Sequence, residues 1–336
     1  MKNKALITGI SGQDGSYLAE FLLNKGYEVH GIVKKDCPLK TTNIEHIITK
    51  LSLHHCDITD RPTLEKILKA IVPDEVYNLA AQSHVQVSFE KPEYTEEVNT
   101  VGVFNLLETI NNTPKLKNIR FYQASTSEMY GNSKQSPQNE NTPFNPCSPY
   151  GKAKLFAHKT VQNYRSTYGM HASCGILFNH ESPRRGETFV SRKITLAAAN
   201  IKTGSQNTLF IGNLDAKRDW GYAPDYVEAM WLILQQERPD DYVISTGENH
   251  TVREFVEKVF QKLDMNIIWQ GQGEKEIGVT SDNRTVIQVD PRFFRPTEVN
   301  SLKGDHSKAK NTFNWKPTIL FSELVDIMCA QENTKK

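Results

Sequence analysis

The stretch Lys4-Ala5-Leu6-Ile7-Thr8-Gly9-Ile10-Ser11-Gly12-Gln13-Asp14-Gly15 decides the fold. Residues 4–8 are short and apolar, as a buried strand is, and Tyr17 to Leu23 run on as an amphipathic helix that stops at Gly26. The glycines between them stand at Gly-x-x-Gly-x-x-Gly spacing. Glycine lets the backbone turn sharply there and approach a pyrophosphate, whose charge then rests on the first amide groups of the helix. A glycine triad alone is a weak signal, and a ligand-free tight turn is its plain alternative. Set between a first strand and a first helix it becomes a strong one.

Working outward, strands are expected at 27–33, 51–58, 75–81, 119–122 and 172–178. Helices are expected over about 93–112 and through Tyr150 and Lys154 to about Tyr168, the second stopped by Gly169. Strands alternating with helices predict an α/β fold, a Rossmann doubly wound parallel sheet. Lys34-Lys35 follow the second strand, and Asp36 comes only after them. NAD-selective sites of this type place an acid there for the ribose 2′-hydroxyl, whereas two cations receive a 2′-phosphate, so the reading is NADP. A solvated surface pair is the alternative, since lysines are mostly exposed. Asp57, closing the third strand, is placed to accept a hydrogen bond from an adenine amine. The small Ala80-Ala81-Gln82-Ser83 lets a cofactor pass close by.

Two phrases in residues 123–154 carry the chemistry. Ser148-Pro149-Tyr150-Gly151-Lys152-Ala153-Lys154 contains Tyr-x-x-x-Lys, and positions four apart share one helix face. A free phenol with a pKa of about 10 is a poor base at neutral pH. A fixed ammonium beside it favours the phenolate, so Tyr150 is expected to titrate lower and to take a proton from an alcohol as its hydride leaves. Gln123-Ala124-Ser125-Thr126-Ser127-Glu128-Met129-Tyr130-Gly131 delivers Thr126 and Glu128 past a strand's carboxyl end, where ligands lie in such sheets. A carboxylate next to a tyrosine base implies that more than one proton moves. Read singly, the first phrase is a common helical coincidence and the second a helix cap with a capping-box acid. Together, in this order and after a nucleotide-binding start, they point to catalysis.

Three later loops are cationic: Asn179-His180-Glu181-Ser182-Pro183-Arg184-Arg185-Gly186, Asn213 to Gly221 with Arg218, and Pro291 to Glu298 with Arg292 and Arg295. Arginine forks onto phosphate oxygens, so the three are expected to converge on one diphosphate. Helices are expected at about 190–203, carrying Lys193, at 226–236, and at 251–263 behind a Thr251/Glu254 capping box. The domain reading is residues 1–178 as the NADP-binding Rossmann domain, completed by parts of 222–262, with 179–221 and 263–330 as a smaller interleaved substrate lobe.

Composition narrows the class. A net charge of +1 over 336 residues gives no electrostatic footprint for nucleic acid. No run of about 18 apolar residues suggests a membrane span, and residues 1–8 are too short and polar for a signal peptide. The scattered cysteines Cys37, Cys56, Cys147, Cys174 and Cys329 form no C-x-x-C pair. They read as reduced thiols of a cytoplasmic protein, with no disulfide frame and no metal site.

The glycine start and Tyr150-x-x-x-Lys154 resemble the extended short-chain dehydrogenase/reductase superfamily. Within it the chain is similar to the GDP-mannose 4,6-dehydratase family, through residues 9–17, 80–85, 125–131, 179–186, 213–221 and 294–299. That resemblance implies a lyase of nucleotide-sugar metabolism that forms a 4-keto-6-deoxysugar on GDP by internal hydride transfer from C4 to NADP and on to C6. It implies Thr126, Glu128 and Tyr150 as catalytic residues, with Lys154 beside them. It places NADP on Gly9, Ile10, Ser11, Gly12, Gln13 and Asp14, and on Lys34, Lys35, Asp36 and Cys37. It adds Asp57, Ile58, Leu79, Ala80, Ala81, Gln82, Ser83, Tyr94, Tyr150, Lys154, His180 and Arg185. It puts GDP-mannose near Ser83, Thr126, Glu128, Asn179, Lys193, Arg218, Arg295 and Glu298. It also implies a homotetramer, or a homodimer, with the loop after the second strand reaching a neighbouring subunit. The family usually has two arginines at Lys34 and Lys35, serines at Asp36 and Cys37, and an aspartate at Asn300; lysine keeps the charge but loses the fork. The competing readings are a nucleotide-sugar 4-epimerase or reductase, which needs no carboxylate at Glu128, and a catalytically silent NADP-binding protein.

Overall fold

The computed structural model describes residues 2–34, 37–38 and 43–330. Lys35, Asp36 and most of the loop expected to meet a neighbouring subunit lie outside the described residues.

Among the described residues the main sheet has seven strands: β1 (Lys4–Thr8), β2 (Glu28–Val33), β3 (Ser52–His55), β4 (Glu75–Asn78), β5 (Arg120–Thr126), β6 (Ala172–Leu177) and the strand Asp241–Ile244. Their order in space is Asp241–Ile244, β6, β5, β4, β1, β2, β3, with every pair parallel. The chain therefore winds outward from β1 to β3 and returns to the far side of β1 as β4. That reversal opens a crevice at the carboxyl ends of β1 and β4, the usual ligand position in a doubly wound sheet.

Strand side chains alternate between faces, and here both faces are covered. Ile7, Tyr77 and Tyr122 point into one core with Leu18, Leu22, Tyr226, Met230 and Ile233. Leu6, Val76 and Phe121, one residue earlier in each strand, point into the other with Leu64, Leu68, Leu106, Leu107 and Val161. This is why the strands read as continuous apolar runs. Each fully buried leucine contributes about 1.5–3 kcal/mol relative to leaving it in water.

The expected strand 75–81 ends at Asn78. The Thr8 hydroxyl accepts hydrogen bonds from the Leu79 and Ala80 amides (3.1 and 3.0 Å) and donates to Asn78 (2.7 Å), which turns the chain out of the sheet. The expected long helix over 93–112 is instead Pro92–Glu96, a π turn Glu97–Val101, and Gly102–Asn112. Within that wide turn Asn99 exchanges two hydrogen bonds with the Gln82 backbone (3.1 and 2.9 Å), fixing the segment after β4. β5 extends to Thr126, paired in register with Leu177.

After β6 the chain leaves the sheet, returns for the helix Ala223–Gln235 and the strand Asp241–Ile244, and leaves again. The excursions build a lobe with its own core: Ile194, Ile201, Phe255, Phe260, Ile287 and Leu324 pack there, on helices Val190–Thr203, Val252–Lys262 and Phe321–Ala330 and a four-stranded sheet. Val252–Lys262 opens with both hydrogen bonds of the Thr251/Glu254 capping box. Within the 222–262 stretch the chain thus divides, its first part packing on the main sheet and its last helix in the lobe.

Candidate active site

A cleft of about 1150 Å³ lies between the carboxyl ends of the central strands and the lobe. At one end sits the glycine turn. Gly9 has φ +68°, and a Cβ at Gly15 would stand 2.4 Å from the Gly9 carbonyl oxygen and 2.6 Å from Ile10 Cα. The turn closes on itself only because no side chain is there. Gly12 caps the following helix, Gln13–Asn24, without any side-chain acceptor, so the first amides of that helix are left to a ligand. This cradle fits a dinucleotide's pyrophosphate.

Ser11, Gln13, Asp14, Lys34, Cys37, Asp57, Ile58, Leu79, Ala80, Ala81, Ser83 and Tyr94 line this end of the cleft. Lys34 Nζ donates to the Tyr94 hydroxyl at 2.6 Å and stands 3.9 Å from Asp57. Asp57 also accepts from the Thr59 amide and hydroxyl (3.0 and 2.9 Å). Cys37 Sγ lies 3.6 Å from Ser11 Oγ. Two expected cofactor residues turn their side chains elsewhere. Ile10 is fully buried in the core. The Gln82 amide donates to Thr95 Oγ1 (2.9 Å) and accepts from the His84 amide (2.6 Å).

The glycine turn is joined to the 179–186 loop across the cleft. His180 Nε2 meets Asp14 Oδ2 at 2.9 Å and Nδ1 meets the Phe178 carbonyl at 2.8 Å, so both ring nitrogens face acceptors. Burial alone would raise Asp14 and lower His180; their mutual contact reverses both, holding Asp14 at about 2 and His180 above its usual value. Gln13 adds a bond to the His180 carbonyl (3.1 Å) and accepts from Ser182 (2.9 Å).

Thr126 ends β5, and its hydroxyl accepts from the Glu128 amide at 3.2 Å. Thr126 thus caps the short turn Ser127–Met129, and Glu128 serves as the capped amide, not as a capping-box acid. Tyr150 and Lys154 stand on the helix Pro149–Tyr168, whose start is fixed by Ser148 Oγ accepting from the Gly151 amide (3.0 Å). All four side chains are buried and line the cleft.

One electrostatic expectation is corrected. Lys154 does not bring the Tyr150 phenol down. Burial pushes it up to about 12; the Thr126 hydroxyl pulls the other way and the Glu128 charge adds to the rise. Lys154 Nζ is 6.0 Å from the Tyr150 ring centre and donates instead to the Ala124 carbonyl at 2.9 Å. Burial also drives the ammonium itself down to about 8. Sequence spacing puts the two on one helix face, but desolvation of the site outweighs the pairing.

Asn179, Arg185, Lys193, Arg218, Arg295 and Glu298 line the rest of the cleft, so the three cationic loops do converge. Their arginines are already partnered. Arg218 donates to the Val299 carbonyl (2.7 Å) and to Glu298 (3.1 Å). Arg295 Nη1 is 3.9 Å from both Glu128 and Glu298. Arg185 faces Glu181 at 3.0 Å and lies over the Phe189 ring. Lys193 Nζ sits 3.4 Å over the Phe293 ring, its pKa lowered by burial. Arg184 instead turns back onto the first helix, to Glu20 (2.6 Å) and Ser16 (3.1 Å). Arg292 is spent on Asp290 at 2.6 Å, with its side chain 81% exposed.

Sequence reasoning missed Glu181 and Ser191. They bond to each other at 2.6 Å and line the cleft, with Glu181 orienting Arg185. Glu181 sits inside the quoted Asn179–Gly186 phrase, but only the fold shows which arginine it faces. Among the described residues His158, Cys174 and Asp241 group at metal-like distances. The Asp241 carboxylate there is already forked by the Arg165 guanidinium (2.9 and 2.8 Å).

Residues 6–328 match the model of the family described as GDP-mannose 4,6 dehydratase. The chain is 54% identical to the GDP-mannose 4,6 dehydratase of Drosophila melanogaster, over 96% of this chain and 84% of that protein. It is 53% identical to the human GDP-mannose 4,6 dehydratase, over 96% and 90%. Among solved structures it is similar to the UDP-glucose 4-epimerase of Thermus thermophilus in complex with NAD. The TM-score is 0.82 at 25% identity, covering 99% of this chain and 100% of that one.

Proposed function

This chain belongs to the GDP-mannose 4,6-dehydratase family, and from that premise we propose the residues, the cofactor form and the assembly through which it works. It is a hydro-lyase that removes water from GDP-mannose to give GDP-4-keto-6-deoxymannose. The observation that carries our assignment is the meeting of Thr126, Glu128, Tyr150 and Lys154 with Arg185, Arg218 and Arg295 on one cleft.

A nicotinamide dinucleotide would supply hydride acceptance and donation for the internal C4-to-C6 transfer. The glycine turn, Asp14, Lys34, Tyr94, Asp57, His180 and Arg185 hold it. We read it as NADP, because Lys34 places a cation at the end of β2, on the ribose side of the cleft.

Tyr150, in its phenolate form, which burial makes the minor one at neutral pH, takes the proton of the sugar 4-hydroxyl. Thr126 hydrogen-bonds the 4-oxygen and offsets its developing charge. The C4 ketone acidifies the C5 hydrogen, and Glu128 removes that proton as the 6-hydroxyl leaves as water. Arg295 Nη1 stands 3.9 Å from the Glu128 carboxylate, on the cleft wall that the sugar would face. Lys154, tied to the Ala124 carbonyl, fixes the helix face against β5. Arg218, Arg295 and Lys193 receive the GDP end, while Asn179 and Glu298 orient it.

We also propose a homo-oligomer, in full a tetramer. Val101, Phe104, Phe156 and Tyr168 are exposed on and beside the neighbouring helices Gly102–Asn112 and Pro149–Tyr168, an apolar face that a second copy would cover. The cysteines of the described residues are free thiols, which suits the reducing cytoplasm; no described helix is long and apolar enough to cross a membrane.

The test is incubation with GDP-mannose followed by mass analysis. Loss of one water with no net change in NADP or NADPH is expected. One cofactor equivalent consumed per product would replace this reading with a reductase or dehydrogenase.

A further inference from the structure

Asp219 lies between Arg218 and Trp220 and is 0% exposed. Its carboxylate takes four hydrogen bonds, all from uncharged donors. Oδ1 accepts from the Thr246 amide (2.8 Å) and hydroxyl (2.6 Å); Oδ2 accepts from the Gly247 amide (3.0 Å) and the Gly304 amide (3.1 Å). These donors belong to two distant segments. Thr246 and Gly247 follow the edge strand Asp241–Ile244 of the main sheet. Gly304 belongs to the strap beyond Glu298, and it reaches Asp219 only by close packing: a Cβ there would stand 2.4 Å from Ser245 Cβ.

That strap also carries the groups that hold Arg218, namely Glu298 and the Val299 carbonyl. Two backbone bonds run alongside, Lys217 amide to Asn300 carbonyl (2.9 Å) and Leu302 amide to Lys217 carbonyl (3.2 Å). Three chain segments thus meet at one carboxylate immediately next to Arg218.

We infer that Asp219 is a positioning residue for the substrate: it locks the Arg218 segment and the Arg295–Glu298 strap in register with the edge of the main sheet, so that their side chains meet the GDP phosphates in a fixed arrangement. The inference rests on the reading of Arg218 as a substrate contact. Four donors aimed at one group require an acceptor-only side chain, and a carboxylate is one. An amide of the same shape offers one acceptor oxygen, and its NH₂ would face two N–H donors or an N–H and a hydroxyl. An aspartate buried without a cationic partner is a costly choice for packing alone. It is explained by the need to hold two segments at once.

The test uses the holoenzyme with its copurified cofactor. Asp219→Asn should raise the KM for GDP-mannose and the Kd for GDP by about tenfold or more, since hydrogen bonds to a charged group are lost. The kcat should move far less, and the NADP content should be unchanged. Thr246→Val removes one donor and leaves the carboxylate its other three; it should raise the GDP Kd by a smaller factor, about two- to fivefold. It also decides the matter if Asp219→Asn does not fold. Unchanged GDP affinity in the folded variants would overturn the inference. So would a parallel loss of NADP content and kcat, which marks a merely structural role. Arg218→Ala separates the two readings. If it weakens GDP binding while the Asp219 and Thr246 variants do not, only the positioning role fails. If Arg218→Ala leaves GDP binding intact, the substrate reading beneath it fails.

Discussion

Lys154→Met should remove activity without removing stability. Lys154 is 4% exposed, and burial lowers its ammonium from 10.5 to about 8. A tenfold change in acidity corresponds to about 1.36 kcal/mol, so holding this charge costs the fold about 3 kcal/mol below pH 8. The sign follows from proton counts. Below pH 8 both folded and unfolded chains carry the proton and the cost is fully present. Between 8 and 10.5 the unfolded chain binds the proton and the folded one does not, so this group makes stability rise with pH. Methionine has no such penalty, but it leaves the Ala124 carbonyl without the donor now 2.9 Å away, a loss of about 1–3 kcal/mol. At pH 7 the variant should therefore be as stable as the wild type or up to about 2 kcal/mol more stable. At pH 10 the order should reverse. Urea unfolding of nucleotide-stripped protein at both pH values reads this directly, because bound cofactor would add its own stabilisation of the native state. Turnover should fall by about 10²-fold, the cost of a misplaced reacting group, because the Tyr150 helix loses its tie to the Ala124 carbonyl. Parallel stability–pH curves for variant and wild type would refute the buried charge. Undiminished turnover would refute the role of Lys154 in setting the Tyr150 site.

Tyr150→Phe and Glu128→Gln should stop at different steps. With GDP-mannose, Tyr150→Phe should neither reduce bound cofactor nor exchange the C5 hydrogen with deuterated water, whereas Glu128→Gln should still permit the first oxidation but lose about 10²–10⁴ in C5 exchange. Wild-type exchange in Glu128→Gln would reassign that carboxylate to holding substrate. Lys34→Glu should weaken NADP about tenfold or more and NAD less, since a hydrogen bond to a charged group is worth roughly 1.5–3 kcal/mol; equal losses in a titration would remove Lys34 from the 2′-phosphate. Arg218→Ala should raise the GDP Kd by calorimetry with little effect on NADP, although part of the loss reflects leaving Glu298 without its 3.1 Å partner.

Local sequence was enough for the class of sheet, the turn that meets the dinucleotide, and the order in which Thr126, Glu128, Tyr150 and Lys154 arrive. Those are short-range matters. Leu6 beside Ile7 and Val76 beside Tyr77 announce a strand buried on both faces; four-residue spacing puts Tyr150 and Lys154 on one helix face; glycine spacing fixes a turn. Element ends were less legible, because contacts across the fold set them: the Thr8 hydroxyl ends β4 at Asn78, and Asn99 holds the wide turn that divides the expected 93–112 helix. The electrostatics came from the folded arrangement alone. Asp14 and His180, 166 residues apart, form a pair that reverses what burial would do to each. Of two adjacent arginines, Arg185 pairs with Glu181 and Arg184 with Glu20 of the first helix. Tyr150 titrates high because it is dry, whatever its helical neighbour. A dihedral preference is a property of a few consecutive residues, whereas desolvation and charge pairing sum over every group the fold brings near.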